Sequence, residues 1–136
     1  MTPAAKHFLE HWHAAVKARD INAVADLISD QCELHSPVVW KPTADKPYLL
    51  HILRGVIETV DGFAYRQGWT DGNEIILEFT GEVDGMGLVG IDKITLNGEG
   101  KMVRIEVLIR PLNTLVEFAQ RMRAHALNFT PEAANG

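Results

Sequence analysis

The stretch "GLVGIDKITLNGEGKMVRIEV" puts a carboxylate, Asp92, among Gly90, Ile91 and Ile94, where a half-buried strand should carry an apolar residue. A buried acid with no cation on its own side of the strand loses hydration. Its pKa then rises, and it can stay protonated and donate a hydrogen bond. Two readings are open. Asp92 is the polar contact for a ligand carbonyl or hydroxyl, or it is a structural acid satisfied by water, a backbone N–H or the indole of Trp12. The histidines divide. His7 and His11, in "HFLEH", fit a zinc-binding H-x-x-E-H pattern. Helical spacing sets them about half a turn from Leu9 and Val16, on the solvent side, with no apparent third ligand, so no metal is expected. His13 borders the buried stripe beside Trp12 and is the histidine best placed to act as a base. The alternative is a boundary ring that only edges the core. His35 and Ser36 are neighbours on a strand, point to opposite faces and form no nucleophile–base pair. Trp40, Tyr65 and Trp69 can wall a pocket, although Tyr65 also reads as plain core. Cys32 reads as a small buried hydrophobe.

These residues need elements to hold them. "AAKHFLEHWHAAVKARD" reads as a helix capped by Thr2, with Pro3 in its first turn and Leu9, Trp12 and Val16 as its stripe. Asp20 opens a short second helix with Ile21, Val24, Leu27 and Ile28 inward. "CELHSPVVW" is a short strand ended by Pro37, with Cys32, Leu34 and Ser36 on one side. A third helix is capped by Asp45, and His51 and Arg54 lie off its apolar stripe, toward solvent. Four strand-like runs follow, Phe63–Trp69, Glu74–Val83, Gly87–Leu96 and Lys101–Ile109, separated by the hairpin turns "DGN", "DGMG" and "NGEG". A last helix over Thr114–Leu127 carries Thr114 and Glu117 at capping-box spacing. The three turns give registers that put Phe63, Tyr65, Trp69, Phe79, Asp92 and Ile105 on one face, with Asp92 opposite Phe79 and Ile105. The other face mixes charges with Ile76, Val89, Ile91 and Leu108, which suits a partly covered surface such as a homodimer contact.

This order of helix, short helix, short strand, helix and four-stranded meander resembles the nuclear transport factor 2-like superfamily, in its SnoaL-like and ketosteroid-isomerase-like branch. The resemblance rests on "ARDINAVADLISDQCELHSPV", "GID", "NGEGK" followed by "VRIEV", and "IRPL". It implies an α+β, cystatin-like fold: a cone-shaped curved antiparallel sheet packed on N-terminal helices, here with an extra C-terminal helix. It further implies a pocket in the cone, usually in a homodimer. In the steroid isomerases of this type an aspartate before the first-strand proline is the base, and here Ser36 stands there. A tyrosine on the first helix donates to the developing oxyanion, and here the position looks like Trp12. A protonated aspartate on a meander strand is the second donor, and Asp92 matches it. The resemblance therefore implies a small-molecule pocket for an apolar or cyclic ligand. An acid–base enzyme of the isomerase, cyclase or hydrolase type, without the usual steroid-isomerase base, is one use of it. The alternatives are a non-catalytic carrier, or a dimerisation module with a vestigial cavity. The pocket residues are Trp12, Ser36, Trp40, Tyr65, Trp69 and Phe79, with Asp92 and His13 as catalytic candidates.

Bulk properties bound the rest. The 136 residues are 46% hydrophobic and 23% charged, an ordinary balance for one core. A net charge of −5, with scattered Lys and Arg, argues against nucleic acid or an anionic membrane as the main partner. One cysteine makes no internal disulfide, the N-terminus does not read as a signal peptide, and no segment approaches a membrane span. A cytoplasmic protein without a cofactor is the expectation, as one domain over 1–128 followed by a loose tail over 129–136.

Overall fold

The computed structural model describes residues 1–130, so most of the tail expected over 129–136 lies outside the described residues. The chain runs α1 (Pro3–Ala18), α2 (Ile21–Ala25), β1 (Ile28–His35), α3 (Lys46–Thr59), β2 (Asp61–Asp71), β3 (Glu74–Val83), β4 (Met86–Leu96), β5 (Met102–Arg110) and α4 (Leu112–Leu127). Side-chain oxygens of Thr2, Asp20 and Asp45 accept the N–H groups of Ala5, Ala23 and Tyr48, each at 3.1 Å. Each satisfies a donor that the first helical turn leaves free. The capping box expected at Thr114 does not form. α4 starts earlier, after Pro111, and the buried Thr114 hydroxyl donates to the Gly87 carbonyl at 2.9 Å, fastening α4 to the start of β4.

The sheet order is β1-β5-β4-β3-β2. The meander β2 to β5 is antiparallel, and β1 adds to its edge parallel to β5, so the sheet is mixed. Asp92 pairs with Leu77 and Val107, two residues from the expected partners on each side. The β3–β4 turn falls at Asp84 and Gly85, one residue earlier than the expected register requires, the β4–β5 connection is longer, and each moves the register by an even number. Parity, and with it the buried face, is kept. β2 differs. Tyr65 pairs with Phe79 as expected, but the register shifts between Tyr65 and Gln67, and Trp69 falls opposite Ile76, on the outer face. Gly90 faces Phe79, and a Cβ there would lie 2.2 Å from the ring, so glycine is what lets the ring lie flat on β4 beside Asp92.

The core has two lobes. Phe8, Trp12, Leu49, Ile75, Ile94 and Ile105 pack where α1, α2 and α3 cover the sheet. Val60, Phe79, Val83 and Leu88 pack beneath Phe118 and Met122 of α4. α4 is held to α3 by a reciprocal pair. Each imidazole Nε2 of His51 and His125 lies within hydrogen-bond distance of the other's backbone carbonyl, at 2.7 and 2.8 Å, and the rings stack 3.9 Å apart. His51 is therefore not free in solvent. Gly55 makes room for the His125 ring, which a Cβ would meet at 2.4 Å. Cys32 is fully buried in β1, and loss of hydration pushes its thiol pKa up to about 12. Among the described residues no helix is long and apolar enough to cross a membrane.

Candidate functional site

Asp92 lies on the concave side of β4, 6% exposed, and among the described residues it is, with Thr114, one of two buried polar residues in an apolar interior. Its Oδ2 accepts a hydrogen bond from the Tyr65 hydroxyl at 2.6 Å. The Tyr65 oxygen in turn accepts the indole N–H of Trp12 at 3.0 Å. An indole only donates, so the direction of the chain is fixed: Trp12 to Tyr65 to Asp92. The acid stands at its accepting end. Among the described residues Oδ1 has no hydrogen-bond partner, and no cation pairs with the carboxyl.

Two effects set the Asp92 pKa. Burial raises it and the Tyr65 hydrogen bond lowers it, and burial wins, leaving a pKa of about 6. Tyr65 is driven the other way from reactivity. Burial and the neighbouring Asp92 charge push its hydroxyl well above the ordinary tyrosine value, so it stays a neutral donor.

Beside Asp92 is a cavity of about 40 Å³. Aromatic side chains dominate its inner wall: Trp12, Phe63, Tyr65, Phe79 and Phe118. Val16 of α1 and Leu53, Val56 and Ile57 of α3 line it too, and all four are only half-buried. α1 and α3 scarcely touch each other, so these four form an apolar doorway between them. A water needs roughly 10–15 Å³ of such space, and an ordinary ligand site offers roughly 300–1,000 Å³. The closed cavity therefore holds a small group, and a ring-sized body must part the doorway.

Of the residues expected at a pocket, Trp12, Tyr65, Phe79 and Asp92 lie together on this lining. Three others do not line it. Trp40 is 97% exposed, on the segment between β1 and α3. Ser36 follows the end of β1, where its hydroxyl accepts the N–H groups of Val38 and Val39 and builds a local turn. Trp69 lines an outer-face groove of about 350 Å³ with Ile76, Lys93 and Arg104. His13 is exposed at the rim, its ring edge-on to that of Tyr65 at 5.2 Å, and burial on that side lowers its pKa. The Tyr65 hydroxyl as hub was not legible from sequence. Alternation assigns a face but not what a side chain's far end reaches. Phe118 had a signal, the helical spacing of Thr114, Phe118 and Met122. The paired His7 and His11 rings sit on exposed α1 surface, and among the described residues no three metal-ligating side chains converge.

No family model and no curated protein matches this chain. Solved structures do. A steroid delta-isomerase from Pseudomonas aeruginosa is 29% identical, covers 93% of this chain and 94% of its own, and superposes with a TM-score of 0.88. An uncharacterised cystatin-like-fold protein from Silicibacter pomeroyi is 25% identical over 89% of this chain and 86% of its own, with a TM-score of 0.84. A nuclear transport factor 2-like protein of unknown function from Burkholderia xenovorans is alike in fold alone, at 19% identity, 78% and 82% coverage and a TM-score of 0.67.

Proposed function

With the chain placed in the nuclear transport factor 2-like superfamily, we propose that its cone binds a small apolar or cyclic molecule whose polar group meets Asp92. The observation that carries this reading is a buried carboxyl on the cavity wall whose Oδ1, among the described residues, has neither a hydrogen-bond partner nor a cation. An unpaired buried acid is destabilising, and a ligand group that engages it offsets that penalty. As an enzyme of the isomerase, cyclase or hydrolase type, the protein would use Asp92 to polarise a substrate oxygen and His13 at the rim to move a proton. As a carrier it would use the same contacts without turnover. Ser36 favours the carrier, because its hydroxyl is engaged in a turn and does not line the cavity.

A panel of small cyclic alcohols, ketones and amines tests the pocket. Binders raise the melting temperature, and Asp92→Ala abolishes the shift. A panel that moves nothing leaves the cavity a packing defect and supports a vestigial pocket. Turnover lost in His13→Ala and kept in Lys41→Ala, an exposed loop substitution, supports the enzyme. No isomerisation of a steroid ketone is expected, and measurable rates would show that Ser36 is no deficit. The same reading makes the protein a homodimer through the outer sheet face. Support comes from exposed Trp69 and Leu108, and from Arg104 Nε, which among the described residues is buried without an acceptor.

A further inference from the structure

We propose that the cavity beside Asp92 receives the ammonium end of a small amine, with an N–H on Oδ1, the ammonium against the aromatic wall and the carbon body in the apolar doorway. The inference rests on the reading of the cone as a ligand pocket and names the chemical class that enters it. Three independent features favour a cation over a neutral oxygen.

The first is polarity of the hydrogen bonds. Trp12 can only donate, so the single Tyr65 proton is committed to Asp92 Oδ2, and the chain delivers donors toward the acid. A carboxyl already accepting such a bond is stabilised as the carboxylate. What Oδ1 then lacks is another donor. The second is charge balance. Among the described residues the charged pairs lie elsewhere, at positions such as Arg66–Glu78 and Arg121–Glu117, and none includes Asp92. When Asp92 is ionised, a bound cation supplies the counter-charge that its neighbours do not. The third is the wall. Trp12, Phe63, Tyr65, Phe79 and Phe118 line the cavity, and aromatic rings attract ammonium groups through their electron-rich faces. The size agrees, because about 40 Å³ fits an ammonium group or a methylated one and leaves the body in the doorway.

Competing charges are few. Tyr65 from β2 stays neutral, and the groups facing Asp92 from α2, α3, β3, β5 and α4 are apolar. From α1 the nearest titrating group is His13 at the rim, whose pKa is lowered by burial, which favours the neutral ring. With Asp92 ionising at about 6, the amine finds a carboxylate at neutral pH, whereas a ketone needs the acid form.

The test compares three ring compounds of matched size, cyclohexylamine, cyclohexanol and cyclohexanone, by calorimetric titration of the whole protein. At about pH 7.5 the amine is expected to bind about ten-fold tighter than either neutral ring, a preference that vanishes in Asp92→Asn. Amine affinity is expected to fall about ten-fold between about pH 7.5 and pH 5 as the acid form fills. The fall persists in His13→Gln, which separates the two titrations. If Asp92→Asn does not fold, the carboxyl carbon-13 signal of wild-type Asp92 replaces it: the amine lowers its titration midpoint by about one pH unit. An unmoved midpoint, or a ketone that binds as well as the amine at about pH 7.5, overturns the amine assignment while leaving the pocket standing. If none of the three binds, the pocket reading falls and this inference with it.

Discussion

Asp92 is held in the fold against its own hydration. Its native pKa of about 6 lies above the roughly 3.9 of an unfolded aspartate. The folded chain therefore holds the proton more tightly. That contribution is complete below about pH 4 and lost as pH rises through about 6. The difference corresponds to roughly 2–3 kcal/mol. Asp92→Asn carries no such titration. In urea unfolding, the stability of the wild type relative to that variant should decline by this amount between about pH 4 and pH 8, and a flat difference would contradict the buried carboxylate. Tyr65→Phe removes the one interaction that lowers this pKa, so the Asp92 carboxyl signal should titrate above 6. A midpoint at or below the wild-type value would show that the hydroxyl does not donate to it. Asp92 was legible because an acid breaking an apolar alternation is visible in a string of letters. Its partner was not, because Tyr65 reads identically whether its hydroxyl is free or bonded.

Elements obeyed parity better than distance. Two hairpin registers moved by even steps and kept the inward face, whereas the shift after Tyr65 turned Trp69 outward. Alternation survives any even slip and fails at a single inserted residue, and in "YRQGW" only Gly68 hints at that insertion without fixing its place. The α4 start was misplaced for a related reason, because Thr114 serves a tertiary contact with Gly87 instead of its own helix. Gly90 tests how closely β4 and the Phe79 ring are fitted. Gly90→Ala puts a Cβ 2.2 Å from that ring and should destabilise by about 1–3 kcal/mol. Gly87→Ala on the same strand meets nothing within 4 Å and should lose far less. Equal losses in chemical denaturation would mean that the Phe79 ring does not set the requirement.

At the scale of the molecule, the cone and its helices followed from element order, while assembly depends on surfaces no alternation rule defines. Leu108→Glu, at a half-exposed position of the outer face, should convert the proposed dimer to a monomer in sedimentation without lowering helix content. A wild type that sediments as a monomer at micromolar concentration removes that interface. The fold also carries its own clock. Cys32 is the chain's single thiol, fully buried, with a pKa of about 12. Alkylating reagents act on the exposed thiolate. Modification must then wait for an opening of the chain around β1, and the labelling rate in native buffer counts those openings. A ligand that binds the folded cone and not the opened chain would slow this count, so one unlabelled cysteine reports occupancy of a cavity it does not touch.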